Sequence, residues 1–232
     1  MRRARQAASG FLLRHGRVYA EGKHWTHKHR LWLAAQRFER PARRIAFEEL
    51  VQAMDEAKAR RDRLAKRMQE LLPSWSLAKV VAAIQALRGI AVIATITLVA
   101  EIGDFKRFAD PRQLMAYLGL TPSERSSEAK TARGAITKAG DTRARRMMVE
   151  SAWTYRLPAR MGAEILERNE ALPQAIKQIA WKAQARLSRH CSRYRRLGKA
   201  GKPTNVVCVV IAREVAAFVW AIATNDAVAV TA

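Results

Sequence analysis

Between Phe47 and Leu71 the apolar residues recur at alternating spacings of three and four: Phe47, Leu50, Met54, Ala57, Leu64, Met68 and Leu71, interrupted by Arg61 alone. That period describes one face of a helix, the seam of a heptad repeat. Charged residues fill the positions between, as the solvated flanks of a coiled coil do, and Pro73 ends the run. The seam predicts either two helices paired between subunits or one helix packed on its own domain. A dimerising helical hairpin or coiled coil over residues 46–73 is the expectation, and with it a homo-oligomer.

Helical spacing continues through most of the chain. Ser74 or Ser76 opens a helix over 77–87, Arg88-Gly89 turns it, and a second runs over 90–102. Helix, Gly-Ile turn, helix is a helix-hairpin-helix-like pattern, whose turn amides receive a phosphate oxygen, so Arg88 and Gly89 are candidate backbone contacts. Gly103-Asp104 closes the second helix. Asp110-Pro111 opens another as N-cap and first helical residue, and Gly119 stops it. Within it Leu114, Tyr117 and Leu118 share a stripe, which places Tyr117 in the core rather than as a nucleophile. Residues 120–140 read as a long polar loop with a short extended piece at Ile136-Thr137, and loops of that length are usually functional. Asp141 caps the next helix. Arg143, Arg145 and Arg146 occupy its first two turns, where the macrodipole disfavours cations, so a bound anion would explain them. Further helices are predicted over 174–197, with Ile176, Ile179, Ala180, Ala183 and Leu187 apolar, and over 205–224. The fold class is mainly α: a basic linker over 1–45, the coiled coil or hairpin over 46–73, and a helical domain over 74–232.

The 232 residues carry a formal charge of +23, with an isoelectric point near 11.3. Such an excess opposes compaction unless a polyanion neutralises it, which makes nucleic acid the first partner to consider, with a ribosome-associated or membrane-peripheral surface as the alternatives that charge alone leaves open. Arg125, Lys130, Arg133 and Lys138 add cations to the loop ahead of the three helical arginines. His24, His27 and His29 invite a metal reading, but nothing acidic or thiol-bearing lies near except Glu21, so no metal site is expected in this chain. Two cysteines, Cys191 and Cys208, fit a reducing cytoplasm. The N-terminus lacks the apolar core of a signal peptide. The apolar runs 89–100 and 206–223 are too short or are broken by Arg213 and Glu214, so no membrane partner is expected.

The segments ALRGIAVIATITLVAEIGD, FADPRQLMAYLGLTPSERSS and GAITKAGDTRARRMMVESAW, flanked by FLLRHGRVY, KHWT and IAWKAQARL, resemble the C-terminal domain of the DEDD transposases of bacterial insertion sequences, the IS "one-ten" family related to the Piv invertases. The resemblance implies a two-part enzyme that cuts and rejoins DNA. An N-terminal RuvC-like domain supplies carboxylates for a divalent metal such as Mg, a C-terminal domain supplies a serine, and a coiled coil between them assembles subunits. Some systems similar to it are guided by a structured RNA. By this resemblance the metal-holding half precedes Met1 and is missing here. Ser126 falls at the family serine, ten residues before Ile136, with Ser127 the second choice. Where the family has glycines after the serine, this chain has Glu128-Ala129.

The implied chemistry is attack of a serine hydroxyl on a DNA phosphate, with Arg125, Lys130, Arg133 and Lys138 stabilising the developing charge. Glu124 and Glu128 are the nearby carboxylates that qualify as a base. The competing expectation is a non-catalytic nucleic-acid-binding module or an inhibitor of a full-length transposase. A third, a basic helical protein on ribosomal RNA, fits the charge but not the ordered motifs.

Overall fold

Helical spacing becomes ten α-helices and one two-stranded hairpin in the computed structural model, which describes residues 1–124, 133–198 and 203–228, with the backbone alone at Arg133, Leu197 and Gly198. The protein is mainly α, and it divides into two units, Met1–Met68 and Gln69–Ala232.

In the first unit α1 (Arg2–Arg14) and α2 (His27–Ala35) pack against the first half of α3 (Pro41–Leu71). Their shared core is Ala8, Phe11, Leu12, Leu33, Phe47 and Met54. Residues 1–45, read from sequence as a linker, therefore carry two helices. The heptad seam divides accordingly. Phe47 and Met54 are buried inside the unit, while Leu64 and Leu71 are 54% and 67% exposed. Thr26 caps α2 by accepting from the His29 amide. Trp25 has left-handed backbone, φ 69°, and its amide donates to His29 Nδ1 at 3.2 Å. His29 is buried.

The second unit contains α4 (Ala78–Ile84), α5 (Val92–Ile102), α6 (Pro111–Tyr117), strands β1 (Pro122–Glu124) and β2 (Arg133–Ile136), then α7 (Thr142–Ala152), α8 (Ala163–Asn169), α9 (Gln174–Gly198) and α10 (Thr204–Ala223). α10 is the central element and packs against α9, α7, α6 and α4. It buries Val207, Cys208, Ile211, Ala212, Val215, Ala216, Val219, Ile222 and Ala223. Each large aliphatic among these contributes about 1.5–3 kcal/mol. Among the described residues α10 is the one helix long and apolar enough to cross a membrane, yet half of that stretch is buried within the unit. The Trp220 indole donates to the Phe108 carbonyl at 3.0 Å and fixes the end of α10 over the start of α6.

Two caps follow the sequence closely. Asp110 accepts from the Arg112 and Gln113 amides at 2.6 and 3.1 Å, and Asp141 accepts from the Ala144 amide. The polar segment 120–140 differs, because it contains an antiparallel hairpin rather than loop alone. Pro122 pairs with Ile136 and Glu124 with Arg133, so the register slips by one residue between them. Ser123 Oγ donates across this bulge to the Ala135 carbonyl at 3.0 Å.

Candidate nucleic-acid interface

The hairpin is held at its base by a backbone crossing. Gly119, just past α6, has φ 61°, and Gly140, just before α7, has φ 75°. A Cβ on Gly119 would lie 2.0 Å from the Ala139 carbonyl oxygen, and one on Gly140 would lie 1.8 Å from that of Tyr117. The two chain segments therefore pass closer than any side chain permits. Amides of Thr137 and Lys138 donate to the carbonyls of Thr121 and Gly119 at 2.9 and 3.1 Å, with Lys138 itself at φ 57°.

Arg145 fastens this crossing. One guanidinium nitrogen donates to the carbonyls of Leu118 and Ala139 at 3.0 and 2.8 Å, one from each segment, and the other donates to Thr142 Oγ1 at 3.1 Å. The expectation that Arg145 contacts phosphate meets a side chain whose donors already serve backbone carbonyls left without helical partners. Its neighbours are also engaged within the chain. Arg143 pairs with Glu101 at 2.9 Å, a contact that raises its pKa further, and its side chain stays 78% exposed. Arg146 pairs with Glu150 one turn along at 2.6 Å. The macrodipole cost inferred from sequence is thus offset by internal partners. For Arg143 and Arg146 these are exposed ion pairs, which hold weakly and leave the guanidinium open to exchange.

Glu101 was not singled out from sequence, although a lone carboxylate ending an apolar helix is a visible signal. It accepts from Arg143, and its main-chain carbonyl accepts from the Tyr117 hydroxyl at 3.3 Å. The Arg107 guanidinium covers the Tyr117 ring at 4.5 Å and the Phe108 ring at 4.7 Å. Tyr117 is accordingly a half-buried joint between α5 and α6.

Arg88 and Gly89 lie in the turn between α4 and α5, against residues 151–158. Arg88 donates to the Pro158 carbonyl at 2.8 Å. A Cβ on Gly89 would fall 2.6 Å from Thr154 Oγ1 and 2.8 Å from the Ser151 carbonyl, so packing alone demands glycine there. Lys138 is exposed. Ser126, Ser127, Arg125 and Lys130 lie outside the described residues, as does the side chain of Arg133, whose backbone opens β2.

Ligands for a divalent metal do not converge among the described residues. His24 lies beside His29, with ring centroids 4.8 Å apart, but the Nδ1 lone pair of His29 is occupied by the Trp25 amide. Burial and the neighbouring His24 push the His29 pKa down. The described residues do not fit the metal that the resemblance implies.

The region built around this crossing is also the region with known kin. Residues 81–163 match the family described as Transposase IS116/IS110/IS902 family. "Putative transposase y4qE" of Sinorhizobium fredii is 46% identical over 223 residues, covering 96% of this chain and 53% of that protein. The transposase for insertion sequence element IS1533 of Leptospira borgpetersenii is 27% identical over 189 residues, covering 80% of this chain and 54% of its own. That for element IS1328 of Yersinia enterocolitica is 28% identical over 140 residues, covering 60% and 34%. The chain spans about half the length, or less, of these curated relatives. With the crossing, the hairpin and α7 all inside the matched region, residues 81–163 of this protein belong to the IS116/IS110/IS902 transposase family.

Proposed function

We propose that this chain is the DNA-gripping and serine-bearing part of an insertion-sequence transposase. The observation that carries the reading is the family match over 81–163, which takes in the hairpin strands, the segment between them with Ser126 and Ser127, and α7. A hairpin fastened at its base by Arg145 and the Gly119/Gly140 crossing gives that segment a fixed root. Lys138, Arg143 and Arg146 supply exposed cations beside the root, and Arg125, Lys130 and Arg133 follow from sequence. Ser126, with Ser127 second, is the nucleophile: its oxygen bonds to phosphorus as a bond from phosphorus to a deoxyribose oxygen breaks. The serine gives up its proton and the departing oxygen takes one up. Metal-binding carboxylates, assembly into oligomers and any guide RNA belong to the whole enzyme, as part of the same proposal.

The test is chemical. With the metal-holding half supplied in trans, the chain on a nicked duplex is expected to form an SDS-stable protein–DNA adduct that Ser126→Ala abolishes and Ser127→Ala preserves. Identical binding without any adduct in wild type and both variants would show a non-catalytic binder instead. On intact duplex with Mg2+, the chain alone should nick weakly or not at all, and efficient metal-dependent nicking would contradict the proposed division of labour.

A further inference from the structure

α9 lies beyond the matched family region and carries a feature of its own. Over Gln174–Gly198 it holds seven Lys and Arg residues and no Asp or Glu. Its rotation is fixed by packing: Ile176, Ala180, Ala183, Leu187 and Cys191 are buried on one side. On the opposite side Lys182, Arg186, Arg189, Arg193 and Arg196 are all exposed. At 100° per residue these five fall within an arc of roughly 80°, in a line about 21 Å long.

Such a line weakens the helix that bears it. Lys182–Arg186, Arg186–Arg189, Arg189–Arg193 and Arg193–Arg196 are like-charged neighbours at the i+3 or i+4 spacing, which repel. The macrodipole favours cations in the last turn, where Arg195 and Arg196 sit. It gives no reason for Lys182, Arg186 and Arg189 in the middle. One carboxylate borders the line: Glu214 of α10, which pairs with Arg186 at 3.0 Å and with His190 Nδ1 at 2.8 Å. Among the described residues Arg189, Arg193 and Arg196 have no ion-pair partner.

We propose that this face of α9 is a second nucleic-acid contact, a sequence-independent seat for the phosphodiester backbone of duplex DNA. The assignment to DNA rests on the transposase reading above. A 21 Å line matches about six base-pair rises along the duplex axis. Duplex rather than single-stranded DNA is indicated because single strands need aromatic platforms beside the cations. Trp181 and Tyr194 lie about 100° and 120° around the helix from the line, so neither offers one.

The experiment is a salt titration of binding to a random-sequence DNA duplex by fluorescence anisotropy, using the full chain. The triple variant Arg189→Gln, Arg193→Gln, Arg196→Gln should show a slope of log Kobs against log[salt] shallower by about 2.7. Its melting temperature should equal or exceed wild type, since repulsion is relieved. Replacement of the same three by lysine should keep the slope. Neutralising Arg60, Arg63 and Arg67, exposed on α3, should leave it nearly unchanged. Equal slopes for wild type and the α9 glutamine variant, or equal losses from the α9 and α3 triples, would overturn the inference while leaving the transposase reading standing. Tighter, slope-matched binding of duplex RNA or single-stranded DNA would overturn the assignment to duplex DNA. A wild-type chain without salt-dependent DNA binding would remove both.

Discussion

α7 and α9 are both arginine-rich helices of the same unit, and they use arginine in opposite ways. Every arginine of α7 has a partner in the chain: Glu101 for Arg143, two carbonyls and a hydroxyl for Arg145, Glu150 for Arg146. On α9, among the described residues, a single carboxylate, Glu214, meets a line of five cations. Counting charge therefore says little about role. What separates a cation that builds the fold from one that awaits a polyanion is the acceptor within reach of it.

The comparison is sharpened most strongly at the crossing that Arg145 fastens. Gly119→Ala or Gly140→Ala places a methyl group inside an opposing carbonyl and forces a left-handed backbone on alanine. Each is expected to destabilise the second unit by about 3–5 kcal/mol, read as a lowered urea midpoint. A change under about 1 kcal/mol would mean that the crossing is not fixed. Next comes Arg145→Gln, which strands the Leu118 and Ala139 carbonyls. A loss of about 2–3 kcal/mol is expected, with faster amide exchange at Thr137 and Lys138. Arg143→Gln, by contrast, should leave stability close to wild type, because the guanidinium it removes is largely solvated. Stability losses that rank Arg143 above Arg145 would break the distinction drawn within α7.

The smallest effect concerns the buried side of α9 and its neighbour. Burial pushes the Cys191 thiol up and the Cys208 thiol up to about 11, with Cys208 Sγ donating to the Val149 carbonyl. Both thiols stay protonated at neutral pH, and thiolate forms only as pH rises towards those raised values. Alkylation by iodoacetamide near pH 8 should be slow in the native chain and fast once it is unfolded. Rapid native labelling of Cys208 would show that this face of α9 opens, and with it that the rotation of the basic line is not fixed.

Much of the second unit was legible in the sequence because its signals are local. Asp110 and Asp141 cap through amides two and three residues away, and the stripe Ile176, Ala180, Ala183, Leu187 repeats within one helix. The hairpin was not legible. Strands of three and four residues leave no periodic trace, and its bulge breaks alternation. The role of Arg145 was equally hidden, since its acceptor at Leu118 lies 27 residues back and a backbone carbonyl has no residue signature. Gly119 was readable as a helix stop but not as half of a crossing, which depends on Gly140. Around α3 the apolar period does mark a helix, yet period alone does not say which turns are covered. Helices α1 and α2 occupy Phe47 and Met54, and leave Leu64 and Leu71 outward.

Parallel salt titrations on duplex DNA, for wild type, Arg145→Gln and the α9 triple glutamine variant, put the contrast between the two helices to a single measurement. Arg145→Gln should melt earlier while shifting the salt slope by less than about one. The α9 variant should melt no earlier while losing close to three from the slope. A full loss of slope from Arg145→Gln, with none from α9, would contradict the account.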